Sequence, residues 1–449
     1  PDFVPSAAYL AHFLALRATD RTALQRRLRG HGLSTLGRSE GHVAASLDAI
    51  DATLAGRAPG PATYARFEQA RARLQANTAT LFGPPPAERS TRVLVTLSRA
   101  LAEDRAALRR LVELGMNAVR INCARDEPAS WRRMADAARA AARDAGAELR
   151  VLMDLAGPKI RTTAIRPPGI RVAAGDRLRL RRDDDAPERP DVASCGCTLP
   201  AVLDAVRPGA TAAIDDGAIW AEVEAAGAFG LDLRVTRTKP GGVKLKAARG
   251  LNFPGTALPA SALTAADRAA LATVVATADL VGYSFVQRPE DVDDLLASLA
   301  AHGAPDTLGV VAKIETELAF RNLPEIVVRA AGRRPFGLMV ARGDLGVEVG
   351  FARLSEVQEE ILWLAEAAHV PVVWATEVLA TLVKNGVAAR GEFTDAAMSA
   401  RAECVMLNKG AFIADGVATL ADVLRRAERH LDKKTPQLAR LQAWRTPLA

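Results

Sequence analysis

Residues 309–317 read GVVAKIETE, which sets a lysine and a glutamate two positions apart at the end of an apolar, β-branched run. In a strand, residues i and i+2 share a face, so Lys313 and Glu315 point the same way. A second acidic residue, Asp344, follows the next run of this kind, in FGLMVARGDLG. Two carboxylates converging on one point repel unless a proton or cation joins them. Mg²⁺ takes few protein carboxylates and keeps positions for water and phosphate oxygens. Glu315 and Asp344 are therefore candidate ligands of Mg²⁺ (or Mn²⁺). The ARGDLG segment offers backbone N–H groups at Gly343 and Asp344 ahead of a helix start, a candidate anion cradle. Lys313 beside a metal would offset negative charge building on a transferring group. These residue types point to metal-dependent chemistry on a small anionic, phosphorylated substrate, without naming a reaction.

These side chains need elements to bring them together. Eight short β-rich runs alternate with helical patterns from residue 91 onward: 92–97, 118–123, 150–155, 278–285, 309–315, 336–342, 371–376 and 404–408. Such alternation predicts an α/β fold, a closed (β/α)8 TIM barrel, with an open doubly wound sheet as the alternative. In a barrel the C-terminal strand ends form the reaction face. Reading only those ends collects Arg120, Asn122, Asp154, Lys159, Arg161, Lys313, Glu315, Arg342, Asp344 and Thr376. Strand-turn patterns between the third and fourth runs predict a small all-β domain inserted at 163–248, placed to act as a lid. The barrel then comprises 91–162 and 249–435. Residues 1–90 read as an N-terminal helical segment of three amphipathic runs, closed by GPPP at 83–86.

A net charge of +7 raises the question of nucleic acid. Only nine of the 59 basic residues are Lys, the Arg are scattered among Ala-rich helices, and no long basic run stands out, so no nucleic-acid partner is expected. No apolar stretch approaches a membrane span. Cys123, Cys195, Cys197 and Cys404 read as small buried hydrophobes in a reducing cytoplasm, although CGC at 195–197 also has the form of a metal or redox pair. No partner beyond small molecules is expected, apart from a possible homodimer.

At these motifs the sequence resembles pyruvate kinase. GMNAVRINCA (115–124), MDLAGPKIRT (153–162), IDDG (214–217), RGLNFPG (249–255), VAKIETE (311–317), LMVARGDLGVEV (338–349), PVVWATEVL (371–379) and AECVML (402–407) stand in the family's order and spacing. The resemblance implies phosphoryl transfer from phosphoenolpyruvate to ADP, giving pyruvate and ATP. It implies Glu315 and Asp344 as divalent-metal ligands, and Lys313 as the lysine that neutralises the transferring phosphoryl group and the enolate oxygen. Gly343, Asp344 and Thr376 would cradle the substrate carboxylate, with Arg342 beside them, and Thr376 would serve proton delivery. Arg120, Asn122, Arg161, Asp216 and Arg249 would serve the nucleotide and the transferring phosphate.

The departures from the family pattern are specific. Potassium-requiring members supply a Ser and a Thr where this chain has Ala124 and Leu155, while Asn122 and Asp154 remain. Lys159 replaces a Glu, so an ammonium beside Asp154 is expected in place of potassium, and no K⁺ requirement follows. Ala156, Arg125, Ser98-Arg99, Arg249, Glu377 and Asn408-Lys409-Gly410 also depart, mostly on the nucleotide side. About 40 residues follow the eighth run, so the family's C-terminal regulatory domain, with its sugar-phosphate site, is expected to be missing. Two other readings stand beside the first. One is metal-dependent enolate chemistry on a 2-oxo acid with a different acceptor, aldolase- or lyase-like. The other is a non-catalytic metabolite-binding regulatory protein.

Overall fold

The computed structural model describes residues 3–183, 191–257 and 259–437. Eight parallel strands close into a barrel: Arg92–Thr96, Ala118–Asn122, Arg150–Asp154, Leu280–Tyr283, Gly309–Ile314, Phe336–Ala341, Val372–Ala375 and Cys404–Leu407. We call them strands one to eight. Each is hydrogen-bonded to its neighbours in chain order, and strand one pairs with strand eight to close the ring. The open-sheet alternative is thereby excluded. All eight runs read from sequence are strands, each trimmed by one or more residues at its ends.

The period-2 alternation of these strands sorts their side chains into two cores. Val93, Val95, Val119, Val151, Val281 and Val310 pack outward with the surrounding helices. Leu94, Ala118, Leu152, Leu280, Val311, Met339, Val373 and Met406 form a separate cluster that fills the ring. Two residues further along the strands, toward their C-terminal ends, the same alternation sets Thr96, Arg120, Asp154, Lys313, Ala341 and Asn408. A charged layer therefore sits directly on an apolar one.

The closed end of the ring is sealed by the N-terminal helices. Leu81 and Phe82, the last residues of helix Pro61–Phe82, are each 1% exposed and belong to the inner cluster. Strand five begins at Gly309, and a Cβ there would lie 2.6 Å from a Leu81 methyl carbon. At Gly337 of strand six the corresponding distance is 3.0 Å. Only glycine leaves room for the plug at Gly309. The first amphipathic run is two helices, Val4–Arg17 and Thr22–Gly30, because Asp20 accepts from the backbone and hydroxyl of Thr22 (2.8 and 2.6 Å) and turns the chain. His369, just before strand seven, joins this segment to the barrel. Its Nδ1 lies 2.9 Å from Ser6 Oγ, its carbonyl accepts from Asn77 Nδ2 (2.7 Å), and Tyr9 meets its ring edge-on.

Between strands three and four, Thr162–Arg166, Arg177–Arg181, Ala193–Cys197, Thr211–Ile214, Ile219–Gly227, Gly230–Thr238 and Leu251–Asn252 form a seven-stranded sheet with its own apolar core. Cys195 and Cys197 are buried in that core, and all four cysteines are free. No group of three or more metal-ligating side chains occurs among the described residues, so the CGC sequence forms no metal site there. No described helix is long and apolar enough to cross a membrane.

Two stability measurements follow. Leu81→Ala removes the plug from a space two glycines shape around it, and should cost about 2–5 kcal/mol in denaturant unfolding; a loss below about 1 kcal/mol would contradict the plug. Burial pushes the proton affinity of His369 down from 6.5 to about 4. Its folded affinity lies below its unfolded one, so this stabilisation is whole above pH 6.5 and is lost as pH falls toward 4. His369→Asn suits the left-handed backbone there (φ 54°). Between pH 7.5 and pH 5 the parent should lose about 2 kcal/mol more stability than this variant; equal losses would contradict the assignment.

Candidate active site

The open mouth of the ring holds a cavity of about 500 Å³. Arg120, Asn122, Asp154, Lys159, Arg161, Asp216, Lys313, Glu315, Arg342, Gly343, Asp344 and Thr376 all line it. Of the residues to which the resemblance gave a role in catalysis or binding, Arg249 does not. It is exposed and pairs with Asp215 at 3.3 Å.

At the floor lies a buried charge cluster. Lys313 Nζ donates to Ser284 Oγ (2.7 Å) and lies 3.1 Å from Glu315 Oε1 and 3.3 Å from Asp154 Oδ2. Arg120 donates its Nε to the same Asp154 oxygen (2.8 Å) and its Nη1 to Thr96 Oγ1 (3.3 Å). Burial alone would strip the proton from Lys313, but Asp154 and Glu315 outweigh it and hold the ammonium more firmly than water does. For Asp154, burial favours the neutral acid, yet Lys313 and Arg120 overcome it and keep the carboxyl ionised. Glu315 goes the other way. Burial pushes its proton affinity up, and nearby Asp344 and Asp154 add to this against the pull of Lys313. Its Oε2 accepts the backbone N–H of Phe285 (2.7 Å).

Beside this cluster, the helix Arg342–Val349 starts directly at the end of strand six, so Arg342, read from sequence as the last residue of the sixth run, is the first residue of the helix. No side chain caps it, and its first residues Arg342, Gly343 and Asp344 line the cavity. Asp344, in that first turn, accepts Lys159 Nζ at both oxygens (2.8 Å each). Asn252 Nδ2 lies 3.5 Å from Asp344 Oδ1.

Three expectations are corrected by these contacts. The ammonium of Lys159 does not sit on Asp154; Arg120 and Lys313 already neutralise that carboxylate, and Lys159 goes to Asp344 instead. The guanidinium of Arg342 is spent on the protein. It donates to the carbonyls of Ala375 (2.9 Å) and Thr376 (2.5 Å), forks onto Asp395 (Nη2 to Oδ2, 2.8 Å), and stacks on Trp374. It braces the turn after strand seven, where Thr376 and Glu377 hold φ of 73° and 61°, an uncommon conformation for a β-branched residue. Asn122 Oδ1 accepts the backbone N–H of Ala124 (3.0 Å), closing a turn rather than facing a ligand. Ser284, Phe285 and Asp395 were not anticipated. Only Ser284 carried a signal, as a polar residue at the tip of the fourth apolar run.

The acidic pair fits a divalent cation. Glu315 is buried with its proton affinity raised by burial and by neighbouring carboxylates, and Asp344 has drawn an ammonium onto both oxygens. Both observations report a local demand for positive charge. Two carboxylates beside an open cavity match the ligand supply Mg²⁺ accepts, with substrate or water oxygens completing its shell.

A parallel eightfold barrel, charged at its C-terminal mouth and carrying a β-sheet insertion after strand three, is the frame of a barrel enzyme class. The comparisons with known proteins narrow it. The family model described as pyruvate kinase, barrel domain, matches residues 88–416. The chain belongs to the pyruvate kinase family. It is 32% identical over 357 residues to a pyruvate kinase of Geobacillus stearothermophilus, covering 77% of this chain and 58% of that one. It is 31% identical over 351 residues to a pyruvate kinase of Methylorubrum extorquens, covering 76% and 69%. The solved structure of a pyruvate kinase from Cryptosporidium parvum superposes with a TM-score of 0.70 at 25% identity, covering 79% of this chain and 73% of that one.

The Arg342 brace yields a prediction. Arg342→Met leaves Asp395 without its partner and frees two carbonyls, so it should cost about 3 kcal/mol or more in denaturant unfolding. A cost below 1 kcal/mol would show that the turn holds itself.

Proposed function

We propose that the protein transfers the phosphoryl group of phosphoenolpyruvate to ADP, giving pyruvate and ATP, with Mg²⁺ or Mn²⁺ and without a K⁺ requirement. One observation carries this reading. A buried ammonium, two acidic residues and an uncapped helix start converge on a single cavity at the barrel mouth.

The residues divide the work by charge. The first-turn N–H groups at Gly343 and Asp344, with Thr376 opposite, take the substrate carboxylate, because a helix start favours an anion. Glu315 and Asp344 hold the divalent ion, which when bound supplies Lewis-acid neutralisation of phosphate and enolate oxygens. Lys159 then releases Asp344 and is free to meet phosphate oxygens. Lys313, held protonated by Asp154 and Glu315, stabilises the charge that builds as the P–O bond to the enol oxygen breaks and a new one forms to the terminal phosphate oxygen of ADP. The enolate left behind takes a proton at its methylene carbon, from a water positioned by Thr376. Arg120 and Arg161 line the same cavity on the side where the phosphoryl group and nucleotide would lie, and Asp216 reaches it from the inserted sheet as part of a lid.

The case against a potassium requirement rests on different contacts from those first expected. Ala124 and Leu155 carry no side-chain oxygen, the Asn122 oxygen is used within a turn, and Asp154 already has two cationic partners.

Mixing the protein with Mg²⁺, phosphoenolpyruvate and ADP should yield pyruvate and ATP in equal amounts. Lys313→Met should lower kcat by about 10³-fold or more, while adding K⁺ should change the rate less than about twofold. Exchange of pyruvate methyl protons without ATP formation would replace this reading with enolate chemistry on another acceptor. A tenfold rise with K⁺ would overturn the potassium assignment.

A further inference from the structure

The inserted sheet carries a second cavity, of about 650 Å³, that shares no lining residue with the one at the barrel mouth. Five cationic side chains surround it: Arg171, Arg237, Lys239, Lys244 and Lys246. One carboxylate faces it, Asp215, and that group already pairs with Arg249. Among the described residues no carboxylate pairs with Lys239, Lys244 or Lys246. We propose that this cavity binds a free small molecule bearing two or more phosphate groups.

The walls are built rather than accidental. Arg171 donates to the carbonyls of Gly241 (3.1 Å) and Gly242 (2.7 Å), fixing the loop that carries Lys239. The short antiparallel pair Val172–Val243 and Arg171–Lys244 sets Lys244 on the rim. Arg237 lies over the Trp220 ring at 5.2 Å, which holds the guanidinium at the end of its strand. The hairpin turn after Ile214 places Asp215 and Asp216 in consecutive left-handed conformations (φ 56° and 53°). Asp215 faces this cavity and Asp216, its neighbour, faces the other. The turn is the partition between the two.

Like charges gathered without counter-charges repel, and the natural relief is a ligand of opposite sign. Phosphate is an anion that both guanidinium and ammonium groups bind through charge-assisted hydrogen bonds. Several cations converging on one concavity match several phosphates better than one, and the volume lies in the range of small-ligand pockets. A concave site walled by short turns does not offer the extended groove of a strand-binding surface.

Calorimetric titration with inorganic tripolyphosphate, in magnesium-free buffer at low salt, tests the assignment on the full chain. One molecule should bind at this cavity, read as the component of the titration that the lysine variants below weaken, and orthophosphate should bind there about tenfold more weakly or worse. Lys239→Glu with Lys244→Glu, both exposed positions, should weaken tripolyphosphate about tenfold or more. Lys246→Met should weaken it to a lesser degree, while Lys313→Met at the other cavity should leave it unchanged. No binding, equal binding of orthophosphate, or indifference to both lysine variants would overturn the proposal. So would loss of binding in Lys313→Met alone, or tighter binding of a single-stranded oligonucleotide. Each outcome is read without turnover, so it is independent of whether ADP is the acceptor.

Discussion

The structure depends on one buried ion cluster. Lys313, Asp154 and Glu315 are each no more than 8% exposed, and none of them could remain charged there alone. Lys313 keeps its proton because two carboxylates face it. Asp154 stays ionised because Lys313 and Arg120 face it. Glu315 shares the Lys313 ammonium with Asp154, and Asp344 is held by Lys159, an ammonium that a divalent ion between the two carboxylates would have to displace. Take away one member and its partners become uncompensated buried charges, so the cluster is held together by mutual pairing.

Geometry makes this possible cheaply. Parallel strands in a ring repeat the same inward position every two residues, so one layer can be apolar and the next ionic without any irregular backbone. The apolar layer of Leu94, Leu152, Val311 and Met339 is closed below by Leu81 and Phe82. The ionic layer above it has water on one side only, which is why its members pair so closely. The N-terminal helices thus serve the site at a distance. They seal the ring whose far end carries the chemistry.

Much of this was legible in the sequence. The strands announced themselves as short β-branched runs, and the two-residue spacing of Lys313 and Glu315 set both on one face of a strand. Charges crowded at strand ends named the mouth of the barrel. What could not be read was where long cationic side chains would go. Lys159 can swing to Asp154 or to Asp344, and the choice depends on Arg120 having taken the first. Arg342 looked like a substrate residue because its neighbours were expected to be, but its partner Asp395 comes from a helix whose sequence says nothing about docking there. Arg249 matched by position and yet turned to Asp215. An amphipathic pattern likewise showed that Pro61–Phe82 was a helix, not that its last two residues would enter the ring. Backbone pattern fixes the face a side chain leaves from; the partner it finds is a tertiary matter.

The central claim is that Glu315 and Asp344 share one divalent ion. Crystals soaked in manganese chloride and measured at the manganese absorption edge test it directly. The account predicts one dominant anomalous peak within coordination distance of both carboxylates, with the Lys159 ammonium withdrawn from Asp344. A peak bound to only one of the two, or manganese elsewhere with the Lys159–Asp344 pair intact, would contradict it.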